Sequence, residues 1–195
     1  MVRHQIANRG ITDRRLLAAL RAVPRHSFVP AAIQRRAYED RPLEIGSGQT
    51  ISQPYMVAKM TELLQVAPRS RILEVGTGSG YQAAVLAEMG ARVISVERHE
   101  DLADIARERL EALEYGNVSV VVGDGTLGWP EDAPYDGILV TAAAPAIPAS
   151  LRAQLAVGGR LVCPVGSRDL QVLKVVTRDT EDHYSEHDSI RCMFV

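Results

Sequence analysis

The run Arg71-Ile72-Leu73-Glu74-Val75-Gly76-Thr77-Gly78-Ser79-Gly80-Tyr81-Gln82 constrains this chain more than any other. A mostly apolar, strand-forming stretch stops at three glycines spaced two apart, and the helix-compatible Ala83-Ala84-Val85-Leu86-Ala87 follows. Such glycines let a backbone turn sharply and let a ligand approach it closely. The helix start beyond them presents unpaired N–H groups to an anion or a carboxylate. A tight turn with no ligand would use the same residues, so the loop needs a second signal. Residues 92–96 supply it: they read as the next strand and place Glu97 at its end, 21 residues after Gly76. In a strand–helix–strand unit an acid at that point accepts hydrogen bonds from both hydroxyls of a ribose. The bland alternative for Glu97 is an ordinary acid at a helix start; loop and acid together point to a nucleoside-type ligand. A third feature, Gly123-Asp124-Gly125, closes the following strand, where Asp124 suits an adenine amino group.

The glycine spacing narrows the ligand. A dinucleotide loop reads G-x-G-x-x-G, whereas the third glycine here comes one residue early, as Gly76-x-Gly78-x-Gly80. A nucleotide triphosphate loop wants lysine and then serine or threonine after its glycines, and Tyr81-Gln82 stand there instead. S-adenosyl-L-methionine has a ribose and no phosphate, and its amino-acid end asks for polar backbone contacts. The pattern favours this methyl donor and leaves a nicotinamide dinucleotide as the alternative.

Around these motifs, residues 71–195 alternate strands with helices. Strands are expected at 71–75, 92–97, 118–123, 136–141 and 160–165, with helices near 80–89, 100–114 and 150–156. In the second of these helices Leu102, Ile105, Ala106, Leu110 and Leu113 mark one face, and Gly116 terminates it. Two more strands, 170–178 and 190–195, flank a polar stretch rich in histidine and acids. The pattern is that of a doubly wound α/β fold with a mostly parallel, seven-stranded sheet. Residues 1–68 differ: Leu16, Leu17, Leu20 and Val23 repeat at helical spacing, Thr12 or Asp13 caps that helix, and Pro24 stops it. Residues 40–54 read as a Gly-, Pro-, Ser- and Thr-rich loop, after which Pro54 opens a helix through Gln65 that buries Met56, Met60, Leu63 and Leu64. One domain over 1–195 is expected, with a helical and loop segment at 1–68 and a cofactor-binding core at 69–195.

Composition excludes several classes. No run of 18 apolar residues is present to span a membrane, and MVRHQIANRGITDRR lacks the apolar stretch of a signal peptide, so a cytoplasmic protein is expected. Cys163 and Cys192 are too few for a disulfide framework or a four-thiolate metal site. His183 and His187 have the spacing of a helical zinc pair, but Tyr184 stands where the metalloprotease glutamate belongs and no third ligand is apparent; no metal is expected. Residues 1–60 carry ten bases against four acids, yet no recognition motif accompanies them, so no nucleic-acid partner is expected.

Longer strings carry a resemblance. They are Val23-Pro24-Arg25-His26 with Phe28-Val29-Pro30; Ile45-Gly46-x-Gly48-Gln49-Thr50-Ile51-Ser52-Gln53-Pro54; the glycine loop through Ala84; Gly123-Asp124-Gly125; Gly128-Trp129-Pro130; Ala133-Pro134-Tyr135-Asp136; Thr141-Ala142-Ala143-Ala144-Pro145; Gly158-Gly159-Arg160-Leu161-Val162; and Pro164-Val165-Gly166. From about residue 5 onward the chain closely resembles the protein-L-isoaspartate O-methyltransferase family, and the GQTISQP string is far more specific than the glycine loop. The resemblance implies a Rossmann-like class I methyltransferase whose last strands follow a family-specific order. It implies methyl transfer from S-adenosyl-L-methionine to the α-carboxyl of L-isoaspartyl residues in proteins and peptides; separately, a monomer is expected. The ester then cyclises to a succinimide, whose hydrolysis returns part of the material to aspartate.

By the same resemblance Ser52 contacts the acceptor carboxylate. Thr50, Ile51 and Gln53 share its loop, and Thr141 and Ala142 lie at the strand end near the acceptor. Gly76, Thr77, Gly78, Ser79, Gly80, Glu97, Asp124 and Gly125 match the cofactor shell. Read without the family, Ser52 also suits an N-cap for the helix opened by Pro54. His26 is expected as a link between helix and substrate loop. Two residues depart from the family: Glu44 replaces the usual proline beside the substrate loop, and Cys192 stands near a usual phenylalanine. A small-molecule methyltransferase and a non-catalytic cofactor-binding regulator are the competing functions.

Overall fold

In the computed structural model, which describes residues 1–167 and 169–194, Asp13 starts the first regular helix. Its carboxylate accepts the N–H groups of Arg15 and Leu16, and α1 runs Arg14–Ala22. The cap is therefore Asp13 and not Thr12. Extended Val23 ends the helix ahead of Pro24. Residues 40–54 are not a plain loop: they hold a two-stranded hairpin, β1 Leu43–Gly46 and β2 Gln49–Ile51. Gly46, Ser47 and Gly48 turn it with positive φ, while Leu43, Ile45 and Ile51 alternate inward. The turn residues masked that short period-two pattern. Helix α2, Pro54–Leu64, follows with proline at its first position. Val57, Ala58, Met60, Thr61 and Leu64 form its inner face, and the predicted Met56 and Leu63 are only partly covered.

The rest of the chain supplies β3 Arg71–Val75, α3 Tyr81–Glu88, β4 Arg92–Glu97, α4 Glu100–Ala112, β5 Val118–Val122, β6 Tyr135–Val140, α5 Ala149–Ala153, β7 Leu155–Gly166, β8 Gln171–Arg178 and β9 Tyr184–Cys192. The sheet order is β5-β4-β3-β6-β7-β8-β9. The first five strands run parallel; β8 and β9 are added antiparallel as a meander. This is the expected doubly wound, mostly parallel architecture. Two strands differ from expectation by more than one residue. Strand β7 begins at Leu155, opposite Tyr135, and then shifts register so that Arg160 faces Gly137; the irregular stretch between carries Gly158 at φ +83° and interrupts the apolar pattern. The last strand covers Tyr184–Cys192, where 190–195 was expected, and Val195 lies outside the described residues. Most of the polar stretch is thus strand. It lacks apolar alternation because β9 is an edge whose side chains are largely exposed. His187 pairs with Val175 in the ladder and His183 precedes the strand, so the two do not share a helix face.

Alternate residues of the strands feed two apolar clusters. Ile72, Leu139 and Val162 join one with Leu16, Leu20, Met60 and Leu86 of the first three helices. Leu73, Ile138 and Leu161 join the other with Leu151 of α5. Both faces of the central strands are covered, as their near-continuous apolar runs require. Helix α4 buries Leu102, Ala103, Ala106 and Leu110, whereas Ile105 is 39% exposed. The parallel register gathers the C-terminal ends of β3, β4, β5 and β6 along one edge, the edge at which ligands of such sheets sit.

Candidate active site

The glycine turn leaves β3 with Gly76 at φ +97°, Gly78 at +52° and Gly80 at +87°, conformations that side chains other than glycine rarely adopt. Gly76 is doubly constrained. A Cβ there would lie 2.6 Å from Thr141 Oγ1, which itself donates to the carbonyls of Val75, at 3.0 Å, and Gly76. Thr141, expected near the acceptor, is the underside of the turn, and Ala142 lies beside it. Gly125 leaves no room for a side chain either, because a Cβ would overlap Val75.

Glu97 and the turn are physically joined. Its Oε2 accepts the Gly78 N–H at 2.8 Å, and its Oε1 accepts those of Arg98 and His99 at 3.0 and 3.1 Å. The residue is only 5% exposed. The side chains of Thr77 and Ser79 are buried and used inside the turn: the Thr77 hydroxyl shares a hydrogen bond with Ser95 at 2.6 Å, and Ser79 Oγ accepts the Tyr81 N–H at 3.3 Å. Ser95 in turn donates to Glu74, a wholly buried carboxyl under the turn. Burial pushes the Glu74 pKa up to about 8, against the pull of the Ser95 bond. Asp124 is exposed at the end of β5. Bonds from the Thr126 hydroxyl and N–H fix its carboxylate and hold its pKa below the usual range.

The hairpin closes on this edge. Ile45 Cδ1 sits 3.5 Å from where a Gly78 Cβ would be, and Ser47 Oγ donates to Asp101 at the start of α4 at 2.6 Å. That bond is the main reason the Asp101 pKa is lowered. Ile51 is buried, Thr50 stands opposite exposed Glu44, and the Gln53 side-chain amide donates to the Asp40 carbonyl and carboxylate. Ser52 is half-buried between them. The N-cap of α2 is Gln53, with no side-chain capping bond, so capping by Ser52 is set aside. The Ser52 carbonyl accepts Arg25 Nη2 at 2.8 Å. His26, the expected link to this loop, shares a hydrogen bond with Tyr38 instead, and its neighbour Arg25 makes the link.

The fold therefore brings Gly76, Gly78, Gly80, Glu97, Asp124 and Gly125 to one edge, and the hairpin that leads into Ser52 and Gln53 touches that edge at Ile45 and Ser47. Sequence reasoning missed Arg25, Arg109, Glu74 and the Ser47–Asp101 bond as parts of this arrangement. Arg109 Nη1 reaches the carbonyls of Phe28 at 3.3 Å and Ser79 at 3.4 Å. Only Arg25 and Glu74 left a trace, inside strings quoted for other reasons; contacts across 54 or 81 residues leave none.

The whole chain, residues 1–195, matches the family model for Protein-L-isoaspartate(D-aspartate) O-methyltransferase. The chain belongs to this family. A protein-L-isoaspartate O-methyltransferase of Methanoculleus marisnigri is 60% identical over 180 residues, covering 92% of this chain and 82% of that one. A solved protein-L-isoaspartate O-methyltransferase superposes over all of this chain with a TM-score of 0.90 at 29% identity; this chain spans 65% of its length. A Plasmodium falciparum structure described as a PCMT, in complex with S-adenosyl-L-homocysteine, matches at 27% identity and TM-score 0.86, over all of this chain and 95% of that one. In this member of the family, the meander order of β7, β8 and β9 and the hairpin over the glycine turn are the frame in which the candidate site residues stand.

Proposed function

We propose that the chain transfers a methyl group from S-adenosyl-L-methionine to the α-carboxyl of L-isoaspartyl residues in damaged proteins and peptides, with Ser52 holding the acceptor. Family membership over the full chain carries the reaction. The observation that carries the residue roles is the Glu97–Gly78 bond, which makes the acid and the turn one unit.

The donor set suits the methyl donor. A carboxylate offers about four acceptor positions, and three N–H groups occupy the oxygens of Glu97, leaving it able to receive a ribose hydroxyl. Asp124, exposed and held as an anion, suits an amino group. Gly76, Gly78 and Gly80 keep the turn bare of side chains. When bound, S-adenosyl-L-methionine supplies an electrophilic methyl group on a sulfonium. The acceptor needs no strong general base, since a carboxylic acid with a solution pKa near ~4 is already ionised at neutral pH. What the protein supplies is placement, worth up to roughly 7–11 kcal/mol in favourable systems. Ser52 holds one carboxylate oxygen by a neutral hydroxyl bond and leaves the other to attack, without quenching its nucleophilicity as a full positive charge would. A cytoplasmic location is supported by two free cysteines, Cys163 and Cys192.

Labelled methyl transfer to paired peptides, differing only in isoaspartate or aspartate at one position, tests the acceptor. Only the isoaspartyl member is expected to be methylated, and equal labelling rejects it. Ser52→Ala is expected to lower kcat by about 10-fold, the scale of one hydrogen bond to a charged group, with donor affinity unchanged by calorimetry. An unaltered kcat removes Ser52 from the reaction.

A further inference from the structure

Arg25 is wholly buried, and neither the cofactor turn nor the acceptor chemistry described above uses it. Burying a guanidinium is costly unless its donors are met, and burial draws its pKa below the ordinary arginine value. Its Nε donates to the Ala37 carbonyl at 2.7 Å and its Nη2 to the Ser52 carbonyl at 2.8 Å. Its Cζ lies 4.8 Å over the ring of Tyr81, while Nη1 has no hydrogen-bond partner among the described residues. Tyr81 is the first residue of α3, directly after Gly80, and its N–H is tied back to Ser79. Phe28 packs edge-on against the same ring at 5.5 Å, so the aromatic face is fixed on its other contacts. One side chain thus touches the peptide unit of the acceptor serine and the residue that ends the glycine turn. A planar fork with several donors can do both at once; an ammonium on a flexible stem cannot.

We propose that Arg25 is a positioning residue for methyl transfer: its Nη2 bond to the Ser52 carbonyl, braced on the Tyr81 ring, sets where the acceptor hydroxyl stands relative to the glycine turn. The proposal rests on the reading of Ser52 given above. Misplacing a reacting group by about 1 Å can cost on the order of 100-fold in rate, so the effect belongs in kcat and not in donor affinity.

The test uses Arg25→Lys, Ser52→Ala, the double variant and Tyr81→Leu in the full chain. It reads kcat and KM with an isoaspartyl peptide, the Kd of S-adenosyl-L-homocysteine by calorimetry, and thermal unfolding. Arg25→Lys is expected to lower kcat by up to about 10-fold, no more than Ser52→Ala loses, with the Kd unchanged within a small factor. Tyr81→Leu removes the brace and keeps the guanidinium; a loss of about 10-fold in kcat, again at constant Kd, is expected. Because Arg25 acts through Ser52, the double variant should be no slower than the slower single variant. Losses that multiply in the double variant overturn the proposal. So does donor affinity that falls in step with kcat or with unfolding temperature, since that marks a residue that only holds the fold. If Arg25→Lys keeps the wild-type rate while Ser52→Ala loses it, only the role of Arg25 fails. If Ser52→Ala keeps the wild-type rate, the reading of Ser52 fails first.

Discussion

The glycine turn and the N-terminal segment lie against each other but are held by different means. The turn is secured at its own backbone: glycines at positive φ, the short Thr141 side chain on the carbonyls of Val75 and Gly76, and the Glu97 carboxylate on the Gly78 N–H. The N-terminal segment is secured by long side chains that reach distant carbonyls. Arg25 binds Ala37 and Ser52, Arg15 binds Val66 and Met89, and Arg109 binds Phe28 and Ser79. Backbone devices tolerate almost no substitution where a Cβ would collide, whereas side-chain tethers can be cut one at a time. Donor binding should therefore fail abruptly on mutation, and acceptor placement by degrees.

The sharpest break in that contrast is Gly76→Ala. The new Cβ meets Thr141 Oγ1 and the backbone is held at φ +97°. Strain and overpacking together should cost about 2–4 kcal/mol, read by urea unfolding, and donor binding should fall below calorimetric detection. A normal isotherm would show that the turn is not the donor's seat. A subtler cut is Glu74→Gln, beneath the turn. The folded pKa of Glu74 is raised from 4.5 to about 8. The folded state therefore holds a proton that the unfolded state has lost across this window, and stability falls as pH rises through it. The glutamine variant should flatten that dependence and be more stable than the wild type at pH 9 by about 1–3 kcal/mol. Parallel stability curves for the two proteins would place the proton elsewhere. The smallest effect belongs to the hairpin. Glu44 is exposed and faces Thr50 across the strands, so Glu44→Gln should improve kcat/KM for peptides with acidic flanks about twofold at low salt, and not at high salt. Equal ratios at both salt levels would put this carboxylate outside the acceptor's reach.

What could be read from the sequence follows the same division. Strand β3, the glycine turn and Glu97 announce themselves because their constraints are local: apolar runs, missing side chains, and an acid one strand along. Strand β4 is predicted to its last residue for that reason. The hairpin was hidden because three of its residues, Gly46, Ser47 and Gly48, suit turns, and β9 because an exposed edge strand needs no apolar alternation. Arg25 gives no local sign of its linking role, since a buried arginine is rare, and only the packing around Ala37, Ser52 and Tyr81 explains why this one is buried.

The two outer borders of the sheet bear on the company such an enzyme keeps. On one side β9 displays Glu186, His187 and Asp188, with Lys174 and Arg152 paired to its acids. On the other, β5 is a valine-rich strand whose Val120 carbonyl is already taken by Arg107 at 3.1 Å. Charge guards one margin and a guanidinium occupies one carbonyl of the other, and unguarded margins are where foreign strands zip on. A catalyst that handles frayed, ageing polypeptides can grip them at its cleft without being drawn into their aggregates.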